Sequence, residues 1–93
     1  MTMGELIHYR LIITGRVQQV WFRKFCKENA DLLKLGGSVK NLEDGSVELF
    51  VAGPLNLVET LIKKCRKGPK LAHVEKVKID TLDYKEYDNF DIL

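Results

Sequence analysis

Two amphipathic stretches of helical period, each entered from an apolar strand-like run, and one Asp-Gly turn between them predict an α+β sandwich of order βαββαβ. Leu6 to Thr14 is apolar and β-favouring, too short for a helix and closed by Gly15, so it reads as a mostly buried first strand. From Phe22 the period changes: Phe22, Phe25, Cys26, Ala30 and Leu33 recur at steps of three and four, giving a helix to about Leu35 stopped by Gly36-Gly37. Ser38 to Leu42 and Ser46 to Val51 flank Glu43-Asp44-Gly45, where Asp-Gly supplies the positive φ that a tight hairpin turn requires.

Gly53-Pro54 opens the second helix, with Pro54 suited to the first helical position and Leu57, Val58, Leu61, Ile62 and Cys65 forming one apolar stripe ended by Gly68-Pro69. Ala72 to Asp80 alternates around Val74, Val77 and Ile79 as a fourth strand, and Asn89 to Leu93 adds a short terminal one. Two crossover helices burying their stripes against one face of an antiparallel sheet is the split-βαβ, ferredoxin-like arrangement, and residues 1–93 read as a single domain.

A chain of 93 residues buries roughly 60–65% of its unfolded surface, a thin but workable core. Hydrophobic residues at 45% and charged residues at 30% are globular proportions, and no repeat, linker or low-complexity segment interrupts them. A formal charge of +2 is too mild to make nucleic acid or an anionic membrane the default partner. The basic run Lys63, Lys64, Arg66, Lys67 and Lys70 falls at a helix C-terminus, where cations complement the dipole and are solvated. Met1-Thr2-Met3-Gly4-Glu5 lacks a basic region followed by a long apolar run, and no stretch approaches a membrane span, so the expected location is the cytoplasm. Cys26 and Cys65 have no C-x-x-C spacing or local histidine; they read as small buried hydrophobes, with a bridge between them left open. His8 and His73 lie in strand patterns without a carboxylate or nucleophile at an informative spacing, so no catalytic histidine and no metal site is expected.

Chemistry enters at Gly15-Arg16-Val17-Gln18-Gln19-Val20-Trp21-Phe22-Arg23. A glycine-opened loop running into a helix presents backbone N–H groups with the positive end of the helix dipole, and Arg23 adds a guanidinium matched to two phosphate oxygens. Taken alone, the segment is equally compatible with an ordinary strand-to-helix connection. A second constellation decides between them: Gly37-Ser38-Val39-Lys40-Asn41, followed at fixed steps by Gly45, Val47 and Gly53.

Together these two motifs resemble the acylphosphatase family, whose signatures are Gly-x-Val-Gln-Gly-Val-x-Phe-Arg and Gly-aromatic-Val-basic-Asn with the same trailing spacing. The resemblance spans essentially the whole chain, including the Gly53-Pro54 helix entry and the ending from Tyr87 to Ile92. It implies hydrolysis of an acyl phosphate to a carboxylate and inorganic phosphate, without metal or organic cofactor; the mild charge and short length add the expectation of a monomer with no nucleic-acid or membrane partner. The loop Gly15, Arg16, Val17, Gln18, Gln19, Val20 together with Arg23 would bind the phosphoryl group. Asn41, placed on a strand next to the first, would hold the attacking water through its carboxamide. A carboxylate there would repel the phosphate dianion, and a good leaving group makes orientation matter more than a strong base. Gln18 matches the family's glutamine and is expected to brace the loop; Trp21 stands at a variable place of the signature, either lining the acyl side or packing.

Two positions depart from the family pattern. Ser38 stands where an aromatic is usual, which removes packing support around the hairpin. Gln19 stands where the family has glycine. If the loop requires positive φ there, glutamine costs about 1–2 kcal/mol and an amide turned away lowers the rate. A noncatalytic anion-binding or regulatory domain is then the alternative reading. Nucleic-acid binding, which other domains of this topology perform, is the more distant one, because the basic-aromatic strand motif is missing and Phe50 and Tyr9 alone make no stacking platform.

Overall fold

A computed structural model describes residues 5–93; the Met1–Gly4 stretch, read above for leader character, lies outside the described residues. The elements run β1 (Leu6–Arg16), α1 (Phe22–Leu32), β2 (Gly36–Asn41), β3 (Val47–Pro54), α2 (Leu55–Lys67), β4 (His73–Leu82) and β5 (Phe90–Ile92). They form one five-stranded sheet of order β4-β1-β3-β2-β5. The first four strands pair antiparallel, as expected, while β5 adds to β2 in parallel and makes the sheet mixed. Both sides of β1 are taken, by β3 and β4, so Asn41 on β2 lies one strand removed from β1 rather than next to it.

One face of the sheet is apolar because the strands alternate: Leu11 and Ile13 of β1, Val39 of β2, and Val47, Leu49 and Val51 of β3 are all buried on it. Phe22, Cys26 and Ala30 of α1, and Val58, Leu61, Ile62 and Cys65 of α2, close over it as one cluster. Cys26 and Cys65 meet at the contact between the helices, with their Sγ atoms 3.9 Å apart. Both are free thiols. The hydrogen bond to Cys65, and then burial, push the Cys26 pKa far above the ordinary thiol range, so Cys26 packs as a protonated, unreactive side chain.

Three boundaries differ from the sequence reading, each for a backbone reason. Gly15 does not end β1. It sits at φ 118° in a bulge where the pairing with β4 shifts register, and a Cβ there would collide with the His73 carbonyl and lie 2.8 Å from the Glu75 nitrogen. Pro54 is not the first helical residue: with φ −61° and ψ 133° it is extended, the last residue of β3, and α2 starts after it.

Nor do Gly36 and Gly37 stop α1; Lys34 does. Its φ of 57° lets the Lys34 amide donate to the Asp31 carbonyl (3.0 Å) and the Leu35 amide to the Ala30 carbonyl (2.9 Å), a complete Schellman cap with buried Leu35 as its apolar contact. The glycines belong to β2, where a Cβ on Gly37 would run into the Phe50 carbonyl. Lys34→Gly is therefore expected to stabilise the fold by about 0.5–1 kcal/mol through relief of the left-handed backbone, read as a higher urea midpoint at unchanged slope.

Candidate active site

The segment between β1 and α1 is pinned by its apolar residues. Val17 and Val20 are buried in the core, which leaves the backbone around them to trace the surface. Gln19 at φ 61° and Trp21 at φ 62° are left-handed, whereas Val20 between them and helical Phe22 after them are not. Alternating handedness of this kind curls a backbone into a concave nest of N–H groups. The amides of Gln18, Gln19, Val20 and Trp21 donate to no acceptor among the described residues. They lie against the N-terminus of α1, whose first amides are also unsatisfied by geometry.

Position 19 therefore does take positive φ, and glutamine adopts it. The loop keeps the left-handed turn that glycine would favour, at the local cost anticipated above.

Gln18 explains how the loop reaches β2. Its Nε2 donates to the Leu42 carbonyl (2.8 Å) and to the Ser46 carbonyl (2.9 Å), clamping the loop to both ends of the β2–β3 turn. That turn is closed by the Leu42 amide on the Ser46 carbonyl (2.9 Å) and by Asp44, whose carboxylate accepts from the Ser46 amide (2.9 Å) and hydroxyl. These two bonds, the hydroxyl's first, hold the Asp44 carboxyl below its ordinary pKa. Ile13 pairs with Val47, and Val47 with Asn41, so the end of β1 and Asn41 share one edge of the sheet with the start of β3 between them. The loop after β1 crosses over that start.

The result is a cleft of about 470 Å³. Arg23 and Asn41 line it from opposite elements, with Val17, Gln19 and Trp21 of the loop. The Asn41 Oδ1 is buried and has no hydrogen-bond partner. An orphaned buried acceptor costs about 1–3 kcal/mol, which makes the Asn41 carboxamide a group that gains from a donor brought to it. The Arg23 Nη1 donates to the Leu93 carbonyl at 3.1 Å, and Lys27 of the same helix donates to the Phe90 carbonyl at 2.7 Å. These bonds fasten β5 beside the cleft.

Of the residues singled out in the sequence, Val17, Gln19, Arg23 and Asn41 come together as lining. Gly15 and Arg16 fall instead within β1, paired with Val74 and His73 of β4. The Val20 side chain is in the core and that of Gln18 serves as the clamp. Lys24 and Ile92 line the cleft without having been anticipated. Lys24 was hidden behind the more specific Arg23, and Ile92 arrives from the far end of the chain, which no local pattern signals. His8 is away from the cleft, its Nδ1 2.8 Å from the Asp83 carbonyl and its Nε2 2.7 Å from the Tyr87 hydroxyl, a clasp on the segment between β4 and β5. No group of three His, Cys, Asp or Glu with metal-holding geometry occurs among the described residues.

Comparison with known proteins gives the same family at each level. The acylphosphatase family profile matches residues 9–92. An acylphosphatase of Legionella pneumophila (strain Paris) is 40% identical over 91 residues, covering 98% of this chain and 100% of that protein. One from Caldivirga maquilingensis is 44% identical over 79 residues, 84% of this chain and 83% of its own. The crystal structure of acylphosphatase from Bacillus subtilis superposes with a TM-score of 0.91 at 34% identity, over 94% of this chain and 98% of that one. With the loop, the clamp and Asn41 on the scaffold that those proteins share, this chain belongs to the acylphosphatase family.

Proposed function

We propose that this chain hydrolyses acyl phosphates to a carboxylate and inorganic phosphate in the cleft between the β1–α1 loop and β2. The single observation that carries the site assignment is that Asn41 of β2 and Arg23 of α1 line one cleft together with the β1–α1 loop. In this reading the unsatisfied amides of residues 18–21 and the Arg23 guanidinium take the non-bridging phosphoryl oxygens, and their hold strengthens as charge spreads over those oxygens during displacement. Asn41 Oδ1 accepts one proton of a water and its amide nitrogen donates to the oxygen, so that a lone pair faces phosphorus. The water oxygen forms the new P–O bond, the P–O bond to the acyl group breaks and the carboxylate departs with that electron pair, while one water proton stays on the attacking oxygen and the other passes to a phosphoryl oxygen, giving H2PO4⁻. Because a carboxylate is a stable anion at neutral pH, no acid is needed to protonate it.

The domain is expected to act alone, as a cytoplasmic monomer with no cofactor and no nucleic acid. Among the described residues no helix is long and apolar enough to cross a membrane. On the open face of the sheet, Arg10 pairs with Glu48 (2.8 Å) and Asp80 (3.6 Å), and Lys40 with Glu48 (3.8 Å), so two cations that a nucleic acid would need are already engaged.

The test is steady-state release of phosphate from benzoyl phosphate by the purified chain in the presence of EDTA, with inorganic phosphate as competitive inhibitor. Phosphate binding by titration without turnover would favour the noncatalytic anion-binding domain instead. Gln19→Gly addresses the departure from the family pattern. Since glutamine already holds the left-handed turn, kcat is expected to change less than about threefold. A gain of tenfold or more would mean that the glutamine misdirects a loop amide.

A further inference from the structure

Trp21 is the only tryptophan of the chain, and the residue is 74% exposed. Neither packing nor capping accounts for it: it stands at the N-cap of α1 without a side-chain cap bond, in a left-handed conformation that is unfavourable for a bulky residue. Its ring separates two hollows. One is the 470 Å³ cleft of Arg23 and Asn41; the other, about 290 Å³, is lined with Lys24, Phe25, Glu28 and Pro69. Lys24, one helical turn on, holds its ammonium over one face of the ring, 5.8 Å from the centroid, a cation–π contact that restrains the indole.

Position matters here as much as exposure. The backbone amide of Trp21 belongs to the nest assigned above to the phosphoryl oxygens, so its ring stands within one side-chain length of them. In an acyl phosphate the group on the carbonyl carbon is two bonds beyond the bridging oxygen, which is the same short reach. A flat ring attached there meets a flat, exposed, restrained indole, whereas a methyl group leaves most of that surface wet. Resting on the acyl phosphate reading, we infer that Trp21 is a specificity-determining residue and that the cleft prefers acyl phosphates whose acyl group is aromatic, stacked on the indole.

Two measurements on the intact chain test this. In the first, kcat/KM is compared for benzoyl phosphate and acetyl phosphate, in the original chain and in Trp21→Gly. Glycine suits φ 62°, so the variant is expected to fold, with circular dichroism as the check. The benzoyl-to-acetyl ratio is expected to fall by about three- to tenfold, mainly through KM for the benzoyl substrate. A ratio unchanged within twofold, with both substrates still turned over, overturns the inference and leaves the acylphosphatase reading standing. Turnover of neither by the original chain overturns both as enzymology.

The second measurement does not depend on turnover. With a single tryptophan, intrinsic fluorescence reports directly on position 21. Benzylphosphonate is expected to shift the emission and to bind at least threefold more tightly than methylphosphonate. Equal affinities, or binding of both with no change in emission, contradict stacking on Trp21.

Discussion

Arg23→Ala is expected to lower kcat/KM for benzoyl phosphate by about 10³–10⁵ and to abolish competitive inhibition by phosphate at millimolar concentrations. The guanidinium is the one fixed positive group among the named phosphate ligands, and it is held in place by a bond to the Leu93 carbonyl and by the start of α1. Its loss removes both a charge and a planar pair of donors, so ground-state and transition-state binding should weaken together. Arg23→Lys separates these contributions: a point charge without the fork is expected to restore no more than about tenfold of the loss. Near-complete rescue by lysine would mean that only the local field matters. An Arg23→Ala chain within tenfold of the original rate would remove Arg23 from the site altogether. The same substitution frees one anchor of β5, so thermal unfolding must accompany the kinetics to show that the loss is not one of structure.

Asn41→Ala is expected to behave differently. It should lower kcat by about 10²–10³ while leaving the inhibition constant for phosphate within about threefold. The asymmetry follows from the geometry. Asn41 is on β2, outside the loop whose amides face the phosphoryl group, and in this reading its carboxamide holds the attacking water and not a phosphoryl oxygen. Equal loss of turnover and phosphate inhibition would reassign Asn41 to phosphate binding or to the hairpin. Removing an unpartnered buried acceptor should also leave stability unchanged or slightly raised, by about 1 kcal/mol at most, and chemical denaturation reads this directly. A large fall in stability would instead point to a bond that Asn41 makes within the fold.

Much of the architecture was legible because it depends on patterns a few residues long. The helical stripes, the Asp-Gly turn and the alternation in β1 and β3 gave the order of elements, the shared helical face and most of the core. The errors fell where backbone conformation, not side-chain polarity, sets the boundary. Lys34 ends α1 in a conformation that its identity does not advertise, while Gly36 and Gly37 look like a stop and serve instead in β2, Gly36 where Tyr87 packs against it and Gly37 where β3 does. Gly15 resembles the end of a strand and is the residue that lets β1 continue beside β4.

The candidate site divides in the same way. Arg23 stood out by residue type at a loop-to-helix junction, because a phosphate needs a fork of donors, whereas Asn41 stood out only through the resemblance of its flanking motif to the family signature. That Gln18 would join the loop to Leu42 and Ser46, that Lys24 and Ile92 would line the cleft, and that Asn41 would be one strand removed from β1 could not be read from spacing. Each depends on which strands become neighbours.

By itself, then, the sequence determined a βαββαβ sandwich and its family, and nominated two side chains for phosphoryl chemistry, since periodicity and motif spacing act along the chain. Only the tertiary structure decided that a glutamine holds the left-handed turn at position 19, that a clamp from Gln18 brings two segments to one cleft, and that Trp21 stands exposed at its mouth. Those outcomes are fixed by contacts between residues far apart in sequence, where burial of Val17 and Val20 outweighs a local strain of about 1–2 kcal/mol.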